Sequence, residues 1–255
     1  MEQEQTLARR ARRRRTLLTA LLVLLVMPGT ILFGVYCLDD RKYYFISLLL
    51  ILYTMVPFLL VFERRRPQAR ELMILAVMSA LAVASRVAFF MLPQFKPITA
   101  IVILTGISLG PQAGFLTGAV SGFLSNFFFG QGPWTPWQMF SFGILGFLFG
   151  LLFYGRRRPT TTRGQRLWLV LVSLLGFVGV MVVYGPLMNL SAVMMMTPQV
   201  TWSMFWASVV VAIPMDLVHA GSTALFLLLL TRPILEKLER VQIKYGLLET
   251  PPTSR

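Results

Sequence analysis

Charge and cysteine are both scarce in this chain. Charged residues make up 13% of its 255 residues, against about 25% in an ordinary soluble domain. The single cysteine, Cys37, excludes an intramolecular disulfide framework and any multi-cysteine metal site. Valine and tyrosine precede it, a poor match to a lipoprotein cleavage box, so it reads as an inert thiol in a helix. No ATP-binding loop of the G-x-x-x-x-G-K-[ST] type occurs, so any energy-requiring work would draw on another protein. What the chain does have is apolar surface. It is 56% hydrophobic with a mean hydropathy of +0.70, whereas soluble domains are about 45–50% apolar. Lipid is therefore the expected solvent.

The formal charge of +14 raises the alternative of nucleic-acid binding, and the distribution of the charges decides against it. Six arginines lie in 1–15, four in 63–71 and five in 155–166, and five basic residues follow from 231. These 20 of the 24 basic residues fall in four segments separated by apolar stretches. That is a topology signal.

A spanning helix needs about 20 mostly apolar residues. Stretches 16–38 and 43–62 qualify, split by Asp39-Asp40-Arg41-Lys42. The first is too long for a typical signal core and has no small-residue cleavage site after it, so an uncleaved helix is expected. Further helices are predicted over 71–92, 97–109, 112–129, 138–154, 167–188 and about 203–230. With the amino terminus in the cytoplasm, all four basic segments face inward, as the positive-inside rule requires. The predicted outer loops 39–42, 93–96, 130–137 and 189–202 together carry only Arg41, Lys42 and Lys96. The expectation is an all-α membrane protein of eight spans. It divides into a basic segment with two helices (1–66), a six-helix domain (67–248) and a tail (249–255).

Several residues stand out within that plan. Ala76, Ala80 and Ala84 form a small-residue series on one helix face, and Gly114, Gly118 and Gly122 form another. Such stripes let helix backbones approach closely in lipid. The glycines are expected to pack within the chain, and the alanines suit either internal packing or a partner subunit. Loop 130–137 places Gln131, Trp134 and Trp137 among two prolines at a predicted membrane boundary. It reads either as an interfacial aromatic belt or as a rigid lid over a cavity. Asn126, Asn189, Asp216 and His219 are costly polar groups at membrane depth, which usually face a cavity or each other. Asp216 and His219 share a helix face and suit a structural pair or a ligand contact. Arg86 is expected to snorkel to the outer interface or to enter the same cavity.

From about 67 to 248 the chain resembles the substrate-binding S component of energy-coupling-factor (ECF) vitamin importers. The likeness rests on the six-helix plan and the alanine series. It also rests on the run Gly114 to Phe127 leading into Gly130-Gln131-Gly132-Pro133-Trp134-Thr135-Pro136-Trp137, and on the last helix with Asp216, His219 and Ser222-Thr223. The resemblance implies a non-enzymatic subunit of the bacterial cytoplasmic membrane, with no cofactor and no metal. It would bind a vitamin-type substrate beneath its outer loops and tople in the membrane to release it inward. It would do so with a transmembrane coupling subunit and two cytoplasmic ATPases, the coupling subunit docking on Ala76, Ala80 and Ala84. Arg86, Asn126, Gln131, Trp134, Trp137, Asn189, Asp216 and His219 are then the expected substrate contacts. Loop 130–137 looks most like subgroups associated with cobalamin or another corrinoid. Riboflavin, thiamine, folate or a nucleobase derivative would suit an aromatic loop equally. The two amino-terminal helices are additional to the family plan.

Three other readings compete. A rhomboid-type intramembrane protease would use Ser121 as nucleophile and His219 as base, but Ala119-Val120-Ser121-Gly122 lacks the first glycine of G-x-S-G. An assembly protein would need no ligand. An ion-coupled secondary transporter would use Asp216 as its proton or cation site.

Overall fold

The computed structural model describes residues 21–37, 49, 53, 69–156, 158–159, 161–197 and 200–244. Every regular element among them is a helix. Helix α1 (Met27–Cys37) is entered through a π-helical turn, Leu22–Val26. After it come α2 (Ala69–Ala88), α3 (Ile98–Leu109), α4 (Pro111–Phe129) and α5 (Trp134–Phe153). Helix α6 (Thr162–Gly179) continues through a second π turn, Val180–Tyr184, into α7 (Gly185–Met196), and α8 (Trp202–Lys244) closes the order. Helices α2, α5, the continuous α6–α7 and α8 are long and apolar enough to cross a membrane. The chain is an all-α membrane protein. Most of the predicted second span, 43–62, lies outside the described residues.

The centre of the bundle is unusual for its brevity. Helix α3 has 12 residues, about 18 Å at 1.5 Å per residue, short of the roughly 30 Å hydrocarbon core. Every residue from Ile98 to Ser108 is buried, so its ends are met by protein and need not reach the headgroups. A helix that is apolar all round belongs inside, and α5 beside it is buried almost throughout. Gly110, at φ +100°, makes the sharp turn from α3 into α4, where Pro111 occupies the first turn.

Close backbone contact holds this centre together. A Cβ on Gly118 would sit 2.6 Å from the Gly143 nitrogen, and one on Gly114 would sit 2.5 Å from the Gly146 oxygen. Gly114 and Gly118 of α4 thus pack on glycines of α5, and Gly122 on Met139, all within the chain. One face of α5 (Phe142, Leu145, Phe149) joins the cluster of α3, Val172, Val180, Tyr184 and Leu227. The other face (Trp137, Phe140, Ile144, Phe147) packs with Phe115 of α4 and with Met27 and Ile31 of α1. The first amino-terminal helix therefore covers one side of α5.

Helix bounds depart from the sequence expectation in four places. Helix α2 ends at Ala88, because Phe89 to Pro97 form a turn that carries Gln94 at φ +56°. Helix α5 begins at Trp134, four residues early, since prolines are well tolerated in a first helical turn. Helix α6 starts at Thr162, where the Thr161 hydroxyl caps it by accepting from the Gly164 N–H at 3.2 Å. It runs on through Asn189, shrinking the expected 189–202 loop to a few residues. Helix α8 runs 43 residues, about 65 Å and twice the hydrocarbon thickness, so its last turns project beyond the core. There Gln242 donates to the Ser108 carbonyl at 3.2 Å and Arg158 pairs with Glu239 at 3.8 Å.

Candidate functional site

The polar residues singled out by sequence gather mainly at one end of the bundle, where α2 ends and α3 and α5 begin. Arg86, in the last turn of α2, is 7% exposed. Its Nη1 donates to Ser125 Oγ and, at 2.8 Å, to Asn126 Oδ1. Asn126 Nδ2 donates to Thr135 Oγ1 at 3.1 Å, and Thr135 Oγ1 donates to Gln131 Oε1 at 2.9 Å. Gln131 Nε2 reaches back to the Phe123 carbonyl at 2.9 Å. This chain of bonds ties the ends of α2 and α4 to the first turn of α5. Arg86 does not snorkel; it is anchored inward by neutral groups.

Aromatic rings enclose the guanidinium. Its Cζ stands 4.4 Å from the Phe129 ring centroid and 5.9 Å from that of Phe142, within cation–π range. Lys96 Nζ lies 5.2 Å from the same Phe129 ring, held by the Phe89 and Leu92 carbonyls at 3.3 and 2.6 Å. Partial burial, with Arg86 adding to it, holds the Lys96 ammonium pKa below the ordinary lysine range. Over this pair the turn 89–97 forms an aromatic cover. Phe90 meets Phe129 at 4.8 Å, and Phe89 and Phe95 meet Phe226 of α8 at 5.2 and 5.5 Å. Ser222, on α8, ties down the cover by donating to the Lys96 carbonyl at 3.1 Å.

A second polar group adjoins the first through Phe142. The Phe142 ring lies 5.0 Å from Tyr184 and 6.4 Å from His219, and the Tyr184 and His219 rings meet edge-on at 4.4 Å. Tyr184 sits in the π turn between α6 and α7, a helix irregularity frequent at functional sites. His219 Nε2 is 2.8 Å from Thr99 Oγ1 in the first turn of α3. Two buried polar atoms here have no protein partner among the described residues: His219 Nδ1, and Gln138 Oε1 one helical turn before Phe142; Thr117 Oγ1, Trp137 Nε1, Ser141 Oγ and Ser173 Oγ also lack one. Leaving a buried polar atom unpaired costs about 1–3 kcal/mol, so a group of them calls for an occupant.

The remaining candidates fall elsewhere. Asp216 accepts from Asn189 Nδ2 at 3.2 Å, and Gly185 lies against its carboxylate. Asp216 and His219, one turn apart on α8, thus have separate partners and form no pair. Ser121 donates to the Ser79 carbonyl at 3.4 Å while His219 meets Thr99, so the protease dyad is not formed. Trp137 is 4% exposed in the cluster against α1, whereas Trp134 is 38% exposed and lies over Gly132. Neither tryptophan covers Arg86, because the loop that would have held them is helical from Trp134. The cover is made by Phe89, Phe90 and Phe95, which carried no motif in the sequence. Ala76, Ala80 and Ala84 are all exposed along the outside of α2, among outward-facing Met73, Val77 and Leu81.

A family model described as "ECF-type riboflavin transporter, S component" matches residues 67–235, about two thirds of the chain. A UPF0397 protein of Aliivibrio salmonicida is 29% identical over 136 residues, covering 51% of this chain and 74% of that protein. UPF0397 proteins of Aliivibrio fischeri and Vibrio atlanticus are each 32% identical over 88 residues, covering 32% of this chain and about half of their own lengths, 48%. No solved structure matches the chain. The match begins just before α2, spans the helices that build the Arg86 end, and leaves the amino-terminal segment outside it. The chain belongs to the S-component family of ECF-type transporters.

Proposed function

We propose that this protein is the membrane-embedded capture subunit of an ECF-type importer, taking a ring-containing vitamin at the Arg86 end and delivering it inward. The observation that carries this reading is the occurrence of two unpaired buried atoms, Gln138 Oε1 and His219 Nδ1, about the rings of Phe142 and Tyr184. Acceptor and donor capacity next to flat apolar faces suits a planar heteroaromatic molecule, whose edge hydrogen-bonds and whose face stacks. Arg86, Asn126 and Gln131 frame the same end, and the 89–97 turn is the cover that substrate would pass. Asn189 and Asp216, on α7 and α8, bond to each other outside this group. The matched family's description favours a flavin ring. The corrinoid expected from loop 130–137 has no support in that match, and the loop on which it rested is largely helix.

The positive-inside pattern supports cytoplasmic termini and an outward-facing Arg86 end. Ala76, Ala80 and Ala84 leave a shallow outward stripe on α2 that suits close helix docking by the coupling subunit. Two cytoplasmic ATPases would supply the energy.

Native mass spectrometry of the detergent-purified chain, alone and after incubation with a vitamin panel, tests the capture role. A flavin-sized added mass is expected, and a corrinoid-sized one would restore the earlier substrate. Uptake into cells should then require co-expressed coupling subunit and ATPases. Uptake that continues without the ATPases but collapses with the ion gradient would assign an ion-coupled carrier acting through Asp216.

A further inference from the structure

We infer that the substrate carries a negative charge, a carboxylate or a phosphate ester, which pairs with Arg86 and is assisted by Lys96. The inference rests on the capture role proposed above and names the chemistry of its ligand. Arg86 is 93% buried by its 7% exposure, and its partners Ser125, Asn126, Phe129 and Phe142 are all neutral. Both of its hydrogen bonds leave from Nη1. Among the described residues, none leaves from Nε or Nη2, and the ion pairs formed are Arg158–Glu239 and Arg232–Glu236, at the far end of the molecule. Asp216 is engaged by Asn189 on another helix.

A buried cation without a counter-charge is expensive, and proteins pair such groups. Here a second cation, Lys96, is held against the same Phe129 ring, which adds repulsion where a chain stabilised for its own sake would place a carboxylate. The arrangement makes sense if the anion arrives with the substrate. A guanidinium with one edge anchored by Ser125 and Asn126 is pre-organised to offer its other edge to two oxygens of a carboxylate or phosphate. His219 Nδ1 and Gln138 Oε1, reached through Phe142, would take the uncharged ring of the same molecule. The substrate would thus lie with its charge under the aromatic cover and its ring toward Tyr184.

Binding to the full-length purified chain, measured by calorimetry with matched pairs, tests this. Riboflavin against riboflavin 5′-phosphate and pyridoxal against pyridoxal 5′-phosphate probe a phosphate; nicotinamide against nicotinate probes a carboxylate. The anionic member of the pair that fits should bind about tenfold to a hundredfold more tightly, the range of a charge-assisted hydrogen bond. Arg86→Gln should weaken the anionic member more than the neutral one, so that the preference is lost, and Arg86→Lys should restore part of it. Where Arg86→Gln fails to fold, as judged by circular dichroism, Lys96→Met and a salt titration replace it, and both should weaken the anionic member selectively. Equal or tighter binding of the neutral member overturns the anion inference alone, leaving the capture role intact. Failure of every compound to bind, with no co-purified mass, overturns both.

Discussion

Replacing Gly118 with alanine should separate the two central helices, and the size of the effect follows from what the new methyl would meet. Its nearest neighbours are the Gly143 nitrogen and the Phe142 carbonyl carbon at 2.6 Å and the Gly143 Cα at 2.7 Å, all backbone. No side-chain rotation can make room. Ordinary contact needs about 1 Å more, so α4 and α5 must move apart along a seam that also includes Gly114 and Gly146. Overpacking by one methyl costs about 1–3 kcal/mol, and loosening the shared seam pushes Gly118→Ala toward the upper half of that range. In a domain of this size about 2 kcal/mol corresponds to a loss of about 4–8 °C in Tm. Gly221→Ala is the control, because nothing lies within 4 Å of a Cβ there. It should be neutral or slightly stabilising through helix propensity. Thermal unfolding of the detergent-solubilised variants measures both. A double variant, Gly118→Ala with Gly114→Ala, should lose less than the sum of the singles, since the first methyl already opens the seam for the second. Equal Tm values for Gly118→Ala and Gly221→Ala would refute the packing argument.

Other positions give independent tests. Thr99→Val removes the partner of His219 Nε2 and leaves both ring nitrogens unpaired in a buried site; a loss of about 1–3 kcal/mol is expected from denaturant unfolding. Trp137→Ala should cost about 3–5 kcal/mol, as large buried aromatics do, whereas half-exposed Trp134→Ala should change stability by less than about 1 kcal/mol. The same unfolding assay ranks the two, and a reversed order would contradict the placement of Trp137 against α1. Ala80→Trp should leave substrate binding and Tm nearly unchanged while abolishing co-purification with the coupling subunit, because Ala80 faces outward. Unimpaired co-purification would remove this face from the docking surface.

Composition and the apolar runs by themselves determined the solvent and the helical class, because a spanning helix must satisfy its backbone internally and announces itself as an apolar run. Small-residue spacing likewise identified the seam of α4, since only glycine permits backbones that close. Asn126 was legible as a candidate because polar groups at membrane depth are rare enough to stand out, Gln131 through its place in the aromatic loop, and Arg86 as a lone charge near the end of a span. Their common network was not legible. It depends on α5 starting at Trp134, which turns an expected loop into a helix end and brings Thr135 between Asn126 and Gln131. The aromatic cover was hidden for the opposite reason: in a chain with 20 phenylalanines, Phe89, Phe90, Phe95 and Phe129 look like ordinary lipid-facing residues. Tyr184 and Gln138 were missed in the same way. Partner choice was also beyond a one-dimensional reading. Asp216 and His219 share a face of α8, yet Asn189 and Thr99 come from different helices and separate them. Periodicity describes one helix at a time, whereas a binding site is made where several helices end together, and only the tertiary packing sets which ends those are.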